Sequence, residues 1–474
     1  MLTTLLRDSR ALASLAVPLV LTQLAQVALT TTDTVMMGFL GTEELAAGGL
    51  ALVIFNQLRT MGVGLVTAVG NQIAAAAARA ERAGEGGADG GGAVGGGGAN
   101  EEVRGIVRAS LAVATLAGTA GAVLMVLLGQ ALIWLGQDAA VVERTRTMLL
   151  ALAPGLLPCL WFQAVRQFTV GMRRPQGLLR ITLASVAVNA GLNWVLVHGT
   201  WGLPRLGLTG IGVATSTVYL LSFTALYLSA RKDGELAPLL TPNVFRADPA
   251  TVRRLVALGV PIAATYGSEA GFFSITALMA GSFGPDALAA HTAVNQLVYI
   301  VFQVAVGLSH AASINVSREL ALGRTDHARR IKNTALACAA AVMAAVGVLY
   351  LTLPGLVLAP FLDSGPGSGQ ALTIATQLLV VTAFLQFFDC AQNIGVGLLR
   401  GLDDTKSGFR ITVIGYWAVG LPASWLLAYA LGLDLLGIWL GLLTGLATTA
   451  VLLLRRYSAS LALRGDPTAM TAPA

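Results

Sequence analysis

Three acidic residues stand inside long apolar stretches of this sequence, where a charge is able to do chemistry. Asp33 lies in TTTDTVMMG, Glu269 in YGSEAGFF and Asp389 in QFFDCAQN. Ionisable groups at membrane depth are costly, and they usually mark the path of an ion, a proton or a substrate. Apolar and aromatic neighbours disfavour the charged form of Glu269 and Asp389. Such a carboxylate suits proton exchange, and it equally suits release of a proton to an arriving Na⁺.

A structural explanation competes with each of these functional ones. Asp33 would be explained if it paired with Arg59, which lies in the next apolar stretch, or if it reached water near a helix end. Glu269 and Asp389 would be explained by a nearby base, but no Lys or Arg is evident inside the apolar stretches of the second half. Function is therefore the favoured interpretation for all three acids.

Two asparagines and a threonine form a second group of polar residues. Asn189 and Asn193 are four residues apart in VNAGLNW, so that both carboxamides lie on one face of a helix. Two amide oxygens on one face are suitable ligands for a hard cation. Hydrogen bonding between helices explains the same pattern equally well. Thr215, in GVATST, is a weaker candidate of the same kind.

The remaining polar residues of the apolar stretches have less specific roles. Arg59 and Arg166 suit either a structural counter-ion or a substrate contact, and a structural role is favoured for Arg166. Gln26, Arg59 and Tyr266 are candidate residues of a substrate cleft. The histidines and the three cysteines lack the spacing of metal ligands. We expect no structural metal, no cofactor and no enzymatic activity, because no nucleophile–base pair is found.

Composition places these residues in a membrane. Of the 474 residues, 55% are hydrophobic and 11% are charged, whereas soluble domains carry about 25% charged residues. Mean hydropathy is +0.74. The sequence therefore predicts an all-α integral membrane protein, since open sheets cannot span lipid. The net charge of +6 is spread over short loops, which indicates topology and not a nucleic-acid partner.

Twelve stretches are long and apolar enough to be spanning helices. They lie near residues 13–39, 45–75, 105–134, 146–170, 178–199, 209–230, 254–282, 287–316, 333–360, 371–399, 409–431 and 435–455. An amphipathic segment, 231–253, joins the two sets of six. The glycine-rich tract 84–98 predicts a disordered cytoplasmic loop, and the tail 459–474 is expected to be disordered.

The distribution of basic residues gives the topology. With twelve spans, 25 of the 30 Lys and Arg residues fall on one side of the membrane, and only Arg144, Arg146 and Arg205 fall on the other. Basic residues collect in cytoplasmic loops. Both termini are therefore expected in the cytoplasm. Few of the basic residues are lysines, which hints at a GC-rich genome and so at a bacterial inner membrane.

The sequence also repeats itself at an offset of 243 residues. The matching pairs include Pro18 with Pro261, Gly41 with Gly284, and Val63-Gly64-Leu65 with Val306-Gly307-Leu308. Duplicated membrane halves are typical of transporters that alternate around a central site. We predict two pseudo-symmetric six-helix lobes, residues 1–230 and 254–458. Asp33 is not part of the repeat, because Thr276 stands where the offset would place its copy.

These motifs resemble the multidrug and toxic compound extrusion (MATE) family, specifically its NorM branch. The resemblance runs from about Ala11 to about Arg456, and the order and spacing of its motifs make it specific. It is carried by P-x(14)-DTVMMG at 18–38, FQAVRQFTVGM at 162–172, VNAGLNWVLVHGTWGLP at 188–204, GVAT at 212–215, LGVPIAA at 258–264, LAAH at 288–291 and FFDCAQNIGVGLLRG at 387–401.

The resemblance implies an antiporter that expels organic, mostly cationic drugs against inward Na⁺ or H⁺, with a central cleft between its two lobes. Each chain is expected to contain a complete translocation unit and to work as a monomer in the bilayer. By position, Asp33, Asn189, Asn193 and Thr215 match the family's amino-lobe cation site. Glu269 and Asp389 match the acidic residues of the carboxy-lobe site. Which lobe couples, and to which ion, stays open.

The sequence departs from the family pattern at two positions. Arg59 stands where the family usually has a small or neutral residue, and Val170 replaces an acid that some relatives carry before Gly171.

Three other functions compete with the antiporter. A lipid-linked glycan flippase of related shape would need a basic cavity, but the apolar stretches here contain three acids and two arginines. A membrane enzyme would need a nucleophile–base pair. A passive channel would not need two dissimilar sites.

Overall fold

The computed structural model describes residues 2–86, 94–135, 139–202, 204–241, 243–362 and 369–465. This part of the chain consists of helices and the turns between them, without a strand. The twelve long helices are α1 Leu2–Leu40, α2 Thr42–Gly86, α3 Val94–Ala131, α4 Ala139–Gly171, α5 Gln176–His198, α6 Leu208–Lys232, α7 Pro249–Gly281, α8 Pro285–Ala321, α9 Thr325–Thr352, α10 Gly369–Gly401, α11 Thr405–Ala430 and α12 Asp434–Gly465. A short helix, Pro354–Leu358, follows α9.

Length and composition suit these helices to a membrane. Among the described residues, eleven of the twelve are long and apolar enough to cross one. The exception is α7, whose apolar stretch is interrupted by Tyr266, Ser268 and Glu269. It still runs for 33 residues, whereas a span needs about 20. The predicted all-helical membrane architecture of twelve helices is confirmed, and the helix that falls short of the criterion for a span carries a candidate site residue.

Helix α11 is irregular. The stretches Ile414–Gly420 and Leu426–Ala430 are π-helical, and they flank the α-helical stretch Leu421–Trp425. Pro422 has no backbone N–H to offer, so the regular hydrogen-bond ladder is interrupted there. π turns inside helices are frequent at functional sites. The first π-helical stretch contains Tyr416, which contacts Glu269.

Leu21–Ala264 pack as one unit, which we call the first packing unit. Helices α2, α3, α4 and α6 supply most of its contacts. Its core includes Met37, Phe55 and Met148, all essentially buried. The segment after α6 is tied to this unit by Arg174, whose guanidinium contacts Asp233 at 2.8 Å and Glu235 at 2.6 Å.

The second packing unit comprises Met1–Val20 with Thr265–Ala474. Helix α10 lies at its centre, against α8, α9 and α12. The core includes the stacked rings of Phe272 and Tyr416, with centroids 4.8 Å apart, and the buried Trp439. Because Tyr416 is part of this core, the packing holds its hydroxyl in a fixed position near α7.

The first part of α1, up to Val20, packs with the second unit, whereas the first part of α7, up to Ala264, packs with the first unit. A Cβ on Gly307 of α8 would lie 2.8 Å from the backbone nitrogen of Val20. At the offset of 243, a Cβ on Gly64 of α2 would lie 2.6 Å from the Cα of Ala263. The same close helix contact is thus made twice. The predicted division into 1–230 and 254–458 does not contain this exchange, because it was drawn from sequence repeats and not from packing.

A second glycine contact shows where the halves differ in length. A Cβ on Gly171 would crowd Gly70 and Ile73, and one on Gly401 would crowd Ser313 and Val316. Ile73 and Val316 are 243 residues apart, whereas Gly171 and Gly401 are 230 apart. The first half is therefore 13 residues longer between these two points. The glycine-rich tract 84–98 lies between these two points.

Two predictions of disorder are corrected in part. Within the tract 84–98, residues 84–86 end α2 and residues 94–98 begin α3, because helices propagate readily beyond an established turn. Residues 87–93 lie outside the described residues. Within the tail 459–474, residues 459–465 continue α12, since Leu461 is buried and Arg464 donates to the Leu402 carbonyl at 3.1 Å. Residues 466–474 are outside the described residues.

Candidate functional site

The carboxylate of Asp33 is the centre of a buried polar cluster in the first packing unit. Asn189 and Asn193 each donate from Nδ2 to its Oδ1 at 2.7 Å. Thr215 donates from Oγ1 to its Oδ2 at 2.9 Å. Asp33 is only 1% exposed, and its three partners are equally buried. The structure brings together the four residues that the sequence proposed as one site.

Three helices position this cluster. Asp33 lies near the end of α1, the asparagines are one turn apart on α5, and Thr215 is on α6. The four-residue spacing on α5 directs both carboxamides to the same carboxylate oxygen, as the helical geometry predicts. Each partner therefore comes from an element that packs within the same unit.

The two asparagine oxygens are the unsatisfied atoms of the cluster. Among the described residues, neither Asn189 Oδ1 nor Asn193 Oδ1 has a hydrogen-bond partner, and both atoms are buried. Buried carbonyl oxygens usually have a partner. A rotation of each amide about its terminal bond would exchange its nitrogen with its oxygen. Asp33 and two amide oxygens would then form an oxygen-rich set, which is the ligand type that hard cations take.

The other predicted residues of the first unit lie outside this hydrogen-bonded cluster. Arg59 is half-buried on α2 and donates from Nε to Asn56 Oδ1 at 3.3 Å. Gln26 is half-buried on α1, about two turns before Asp33. Arg166 is buried and donates from Nη1 to Gln163 Oε1 at 3.2 Å. This contact within α4 agrees with the structural role favoured for Arg166.

Glu269 and Asp389 form a second acidic cluster, in the second packing unit. Gln392 Nε2 lies 3.5 Å from Glu269 Oε1 and 3.5 Å from Asp389 Oδ1. Because both oxygens contact one nitrogen, they are no more than about 7 Å apart. Tyr416 donates its hydroxyl to Glu269 Oε1 at 3.2 Å, and Asn393 donates to Asp389 Oδ1 at 3.2 Å.

Three members of this cluster were not singled out from the sequence. Gln392 and Asn393 stand in the quoted motif FFDCAQN, three and four residues after Asp389, a spacing that places them on its helix face. That spacing was the available signal. Tyr416 had none, because it lies in a π-helical stretch, which side-chain periodicity does not reveal.

A cavity lies beside Glu269 within the second unit. Its volume of about 20 Å³ is enough for one water-sized species. It is lined by Thr265, Tyr266, Glu269, Val306, Ser309, His310, Gln392, Asn393, Val396 and Arg400. Tyr266, a predicted cleft residue, therefore shares a cavity with a predicted coupling acid. Arg400, just beyond the predicted apolar stretch 371–399, is buried in the last turn of α10.

The histidines show no arrangement for a metal ion. His291 is buried against Trp439, with ring centroids 5.6 Å apart, and His198 contacts the Trp194 carbonyl at 3.0 Å. Within the described ranges, no group of three or more His, Cys, Asp or Glu side chains is suited to hold a metal. The chemistry of the two clusters is therefore that of carboxylates, amides and hydroxyls.

Comparison with known proteins gives consistent results for sequence and fold. The MatE family model matches residues 92–195 and 261–426. A probable multidrug resistance protein NorM of Pseudomonas aeruginosa is 34% identical over 446 residues, which cover 94% of this chain and 88% of the relative. One of the same name from Bradyrhizobium diazoefficiens is 35% identical over 455 residues, covering 94% and 91%.

Solved structures of MATE transporters share this fold. An outward-facing multidrug resistance MATE family transporter superposes with a TM-score of 0.83 at 16% identity, covering 97% of this chain and 98% of the other. The eukaryotic MATE transporter AtDTX14 superposes with a TM-score of 0.80 at 19% identity, covering 97% and 98%. At these identities the likeness concerns the fold alone.

Proposed function

The chain belongs to the MATE family of multidrug transporters, and from that premise we propose that it is an antiporter that exports organic, mostly cationic compounds in exchange for inward Na⁺ or H⁺. As a multi-pass protein of the cell membrane, it would hold both termini in the cytoplasm and work as a monomer. The observation that carries the proposal is the presence of one buried acidic cluster in each packing unit.

The second cluster supplies the features that ion exchange needs. Two carboxylates lie within about 7 Å of each other, and the amide that they share is 3.5 Å from each. Like charges at that distance disfavour each other unless a proton or a cation neutralises one of them. No Lys or Arg of the described chain forms an ion pair with either acid. A coupling ion would fill that role.

In the first cluster, by contrast, the carboxylate of Asp33 is already hydrogen-bonded. Asp33 already accepts three short hydrogen bonds, so its charge is stabilised by neighbouring groups in this arrangement. Loading of an ion there would require the two amides to turn their oxygens inward. We propose that the acids of the second cluster bind the coupling ion more readily and that Asp33 takes part in a state with rotated amides.

Export of the drug follows if the ion and the drug bind preferentially to different conformational states of the transporter. A lipophilic cation is attracted to the same carboxylates as Na⁺ or H⁺, so binding of one disfavours binding of the other. By linkage, each reduces the affinity of the other by the same factor. An outward-facing state that loads the ion would release the drug outside, and the return of the loaded protein would deliver the ion inside.

The test is competition at equilibrium on the purified protein. Ethidium binding is measured by fluorescence while Na⁺ or H⁺ concentration is raised. We expect one of the two ions to displace ethidium, and Asp389→Asn to remove most of that displacement while the protein still inserts and folds. Asp326→Asn is the matched control, because the Asp326 side chain is 89% exposed on α9.

Displacement that is unchanged in both Asp389→Asn and Asp33→Asn would contradict the proposal. An ion effect in wild type that disappears equally in the Asp326→Asn control would indicate a general loss of folding and would argue against a role of these acids.

A further inference from the structure

Arg400 is a buried arginine with little to neutralise it. It is 4% exposed at the end of α10, and its Nη2 contacts the Tyr266 hydroxyl oxygen at 3.5 Å. In the part of the chain that the structure describes, Nε and Nη1 of Arg400 have no hydrogen-bond partner. A guanidinium carries five N–H donors, so most of its capacity is unused.

Neither a carboxylate nor the helix terminus explains this burial. No ion pair of Arg400 is found among the described residues. The carboxyl end of α10 offers a partial negative charge of about half a unit. Side chains on a helix lean toward its amino terminus, however, which carries the guanidinium away from that end and toward Tyr266. An isolated buried charge is strongly disfavoured, so an anionic partner is missing.

The cavity beside Arg400 has the size and the donors for such a partner. Its volume of about 20 Å³ is enough for one water-sized species, such as a small monatomic ion. Arg400 lines it together with Tyr266, whose hydroxyl accepts from Arg400 and has its own O–H still to donate. Glu269 also lines this cavity and is the one carboxylate among the lining residues.

We propose that this cavity binds a small monovalent anion, of the size of chloride or bromide, on the Arg400 guanidinium with the Tyr266 hydroxyl as a further donor. An anion there is disfavoured while Glu269 is negative and favoured once Glu269 is neutralised. The anion and the coupling ion therefore bind cooperatively. This second statement, unlike the binding itself, rests on the proposed role of Glu269.

The experiment measures thermal unfolding of the purified full chain in sodium gluconate, with gluconate replaced stepwise by chloride or bromide. Sodium concentration and ionic strength stay constant. We expect a saturable rise of the Tm by about 2 °C or more in wild type, because a ligand that binds the folded state stabilises it. Arg400→Gln is expected to lose the rise, and Tyr266→Phe to reach it only at higher halide concentration.

The matched control is Arg166→Gln, which removes a buried arginine of the first packing unit that has Gln163 as a partner. It should keep the full halide response. Should Arg400→Gln fail to fold, Arg400→Lys, which keeps the charge but loses the planar donor fork, is expected to weaken the response. A wild-type Tm that does not change with halide, or a response that Arg400→Gln retains, overturns the proposal.

A second measurement separates this site from the proposed antiport. The apparent dissociation constant of the coupling ion is determined with and without halide, and halide is expected to lower it by about fivefold. If halide raises the Tm but leaves ion binding unchanged, the anion site stands and the cooperative link to Glu269 is wrong. If neither ion competes with ethidium while halide still raises the Tm, the antiport proposal fails and the anion site stands.

Discussion

At the scale of the residue, the two acidic clusters differ in how their carboxylates are satisfied. Asp33 accepts hydrogen bonds at 2.7, 2.7 and 2.9 Å from three side chains. Glu269 and Asp389 share one amide at 3.5 Å, near the limit of a hydrogen bond. Asp33 is thus held by three short hydrogen bonds, whereas the contacts of the shared amide with the second pair are long.

Thr215 tests whether the Asp33 cluster is tightly built. Thr215→Val keeps the shape of the side chain and removes the donor to Asp33 Oδ2, leaving that oxygen buried with one partner fewer. We expect a loss of about 1–3 kcal/mol in the free energy of unfolding and a weaker response to the coupling ion. The measurement is thermal or denaturant unfolding in detergent.

The control for this variant is Thr217→Val, two residues further along α6. Among the described residues, the Thr217 hydroxyl bonds only to the Val213 carbonyl of its own helix, at 2.8 Å, so its replacement is expected to change stability by less than about 0.5 kcal/mol. Equal losses in the two variants would mean that the bond from Thr215 to Asp33 contributes nothing of its own.

The residues of these sites were predictable to different degrees. Asp33, Asn189, Asn193 and Thr215 could be proposed because polar groups inside apolar helices are rare, and helical spacing aligns the asparagines. The partners of Glu269 could not be proposed from such patterns. Tyr416 comes from a π-helical stretch. Arg400 lies just beyond the predicted stretch 371–399, where a basic residue is expected to mark a cytoplasmic helix end, and its burial has no signal in the sequence.

At the scale of the element, glycine governs how closely helices approach. Gly64 of α2 faces Ala263 of α7, and its repeat partner Gly307 of α8 faces Val20 of α1. Small residues at such positions let helix backbones come together in a membrane. Gly64 and Gly307 are a matched pair of the sequence repeat, but the repeat does not indicate that their partners lie in the first parts of α1 and α7.

The Gly64 contact can be tested with two substitutions on one helix. A Cβ at Gly64 would lie 2.6 Å from the Ala263 Cα, whereas one at Gly49 would meet nothing within 4 Å. Gly64→Ala is expected to destabilise the protein by about 1–3 kcal/mol through overpacking. Gly49→Ala is expected to be neutral or to stabilise it by about 0.4–1 kcal/mol.

Thermal unfolding of the two variants in the same detergent gives the comparison. A Gly64→Ala protein as stable as Gly49→Ala would show that α2 and α7 do not approach this closely.

At the scale of the whole molecule, the two halves reach the same packing with different chain lengths. The Gly171 contact with Ile73 is repeated by Gly401 and Val316, although the first half is 13 residues longer between these points. Twelve helices, their order and the internal repeat could be predicted from hydropathy and self-similarity. The division of the chain into two packing units could not be predicted, because it depends on which unit the first parts of α1 and α7 pack with.

Removal of residues 87–93 tests whether the extra length is needed. Because the second half makes the equivalent contact without it, we expect the shortened protein to keep its Tm and to export ethidium at a rate within about twofold of wild type. Export assays in cells and unfolding of the purified protein give the answer. A shortened protein that folds normally but has lost export would assign a role in transport to these residues.

The central claim is that buried acids couple an inward ion to outward movement of an organic cation. Its most direct test is ethidium extrusion by purified protein in proteoliposomes, driven in turn by a Na⁺ gradient and by a pH gradient, for wild type and Asp389→Asn. The account predicts extrusion by wild type under at least one gradient and none by the variant. Extrusion under neither gradient by folded wild-type protein, or equal extrusion by the variant, would contradict it.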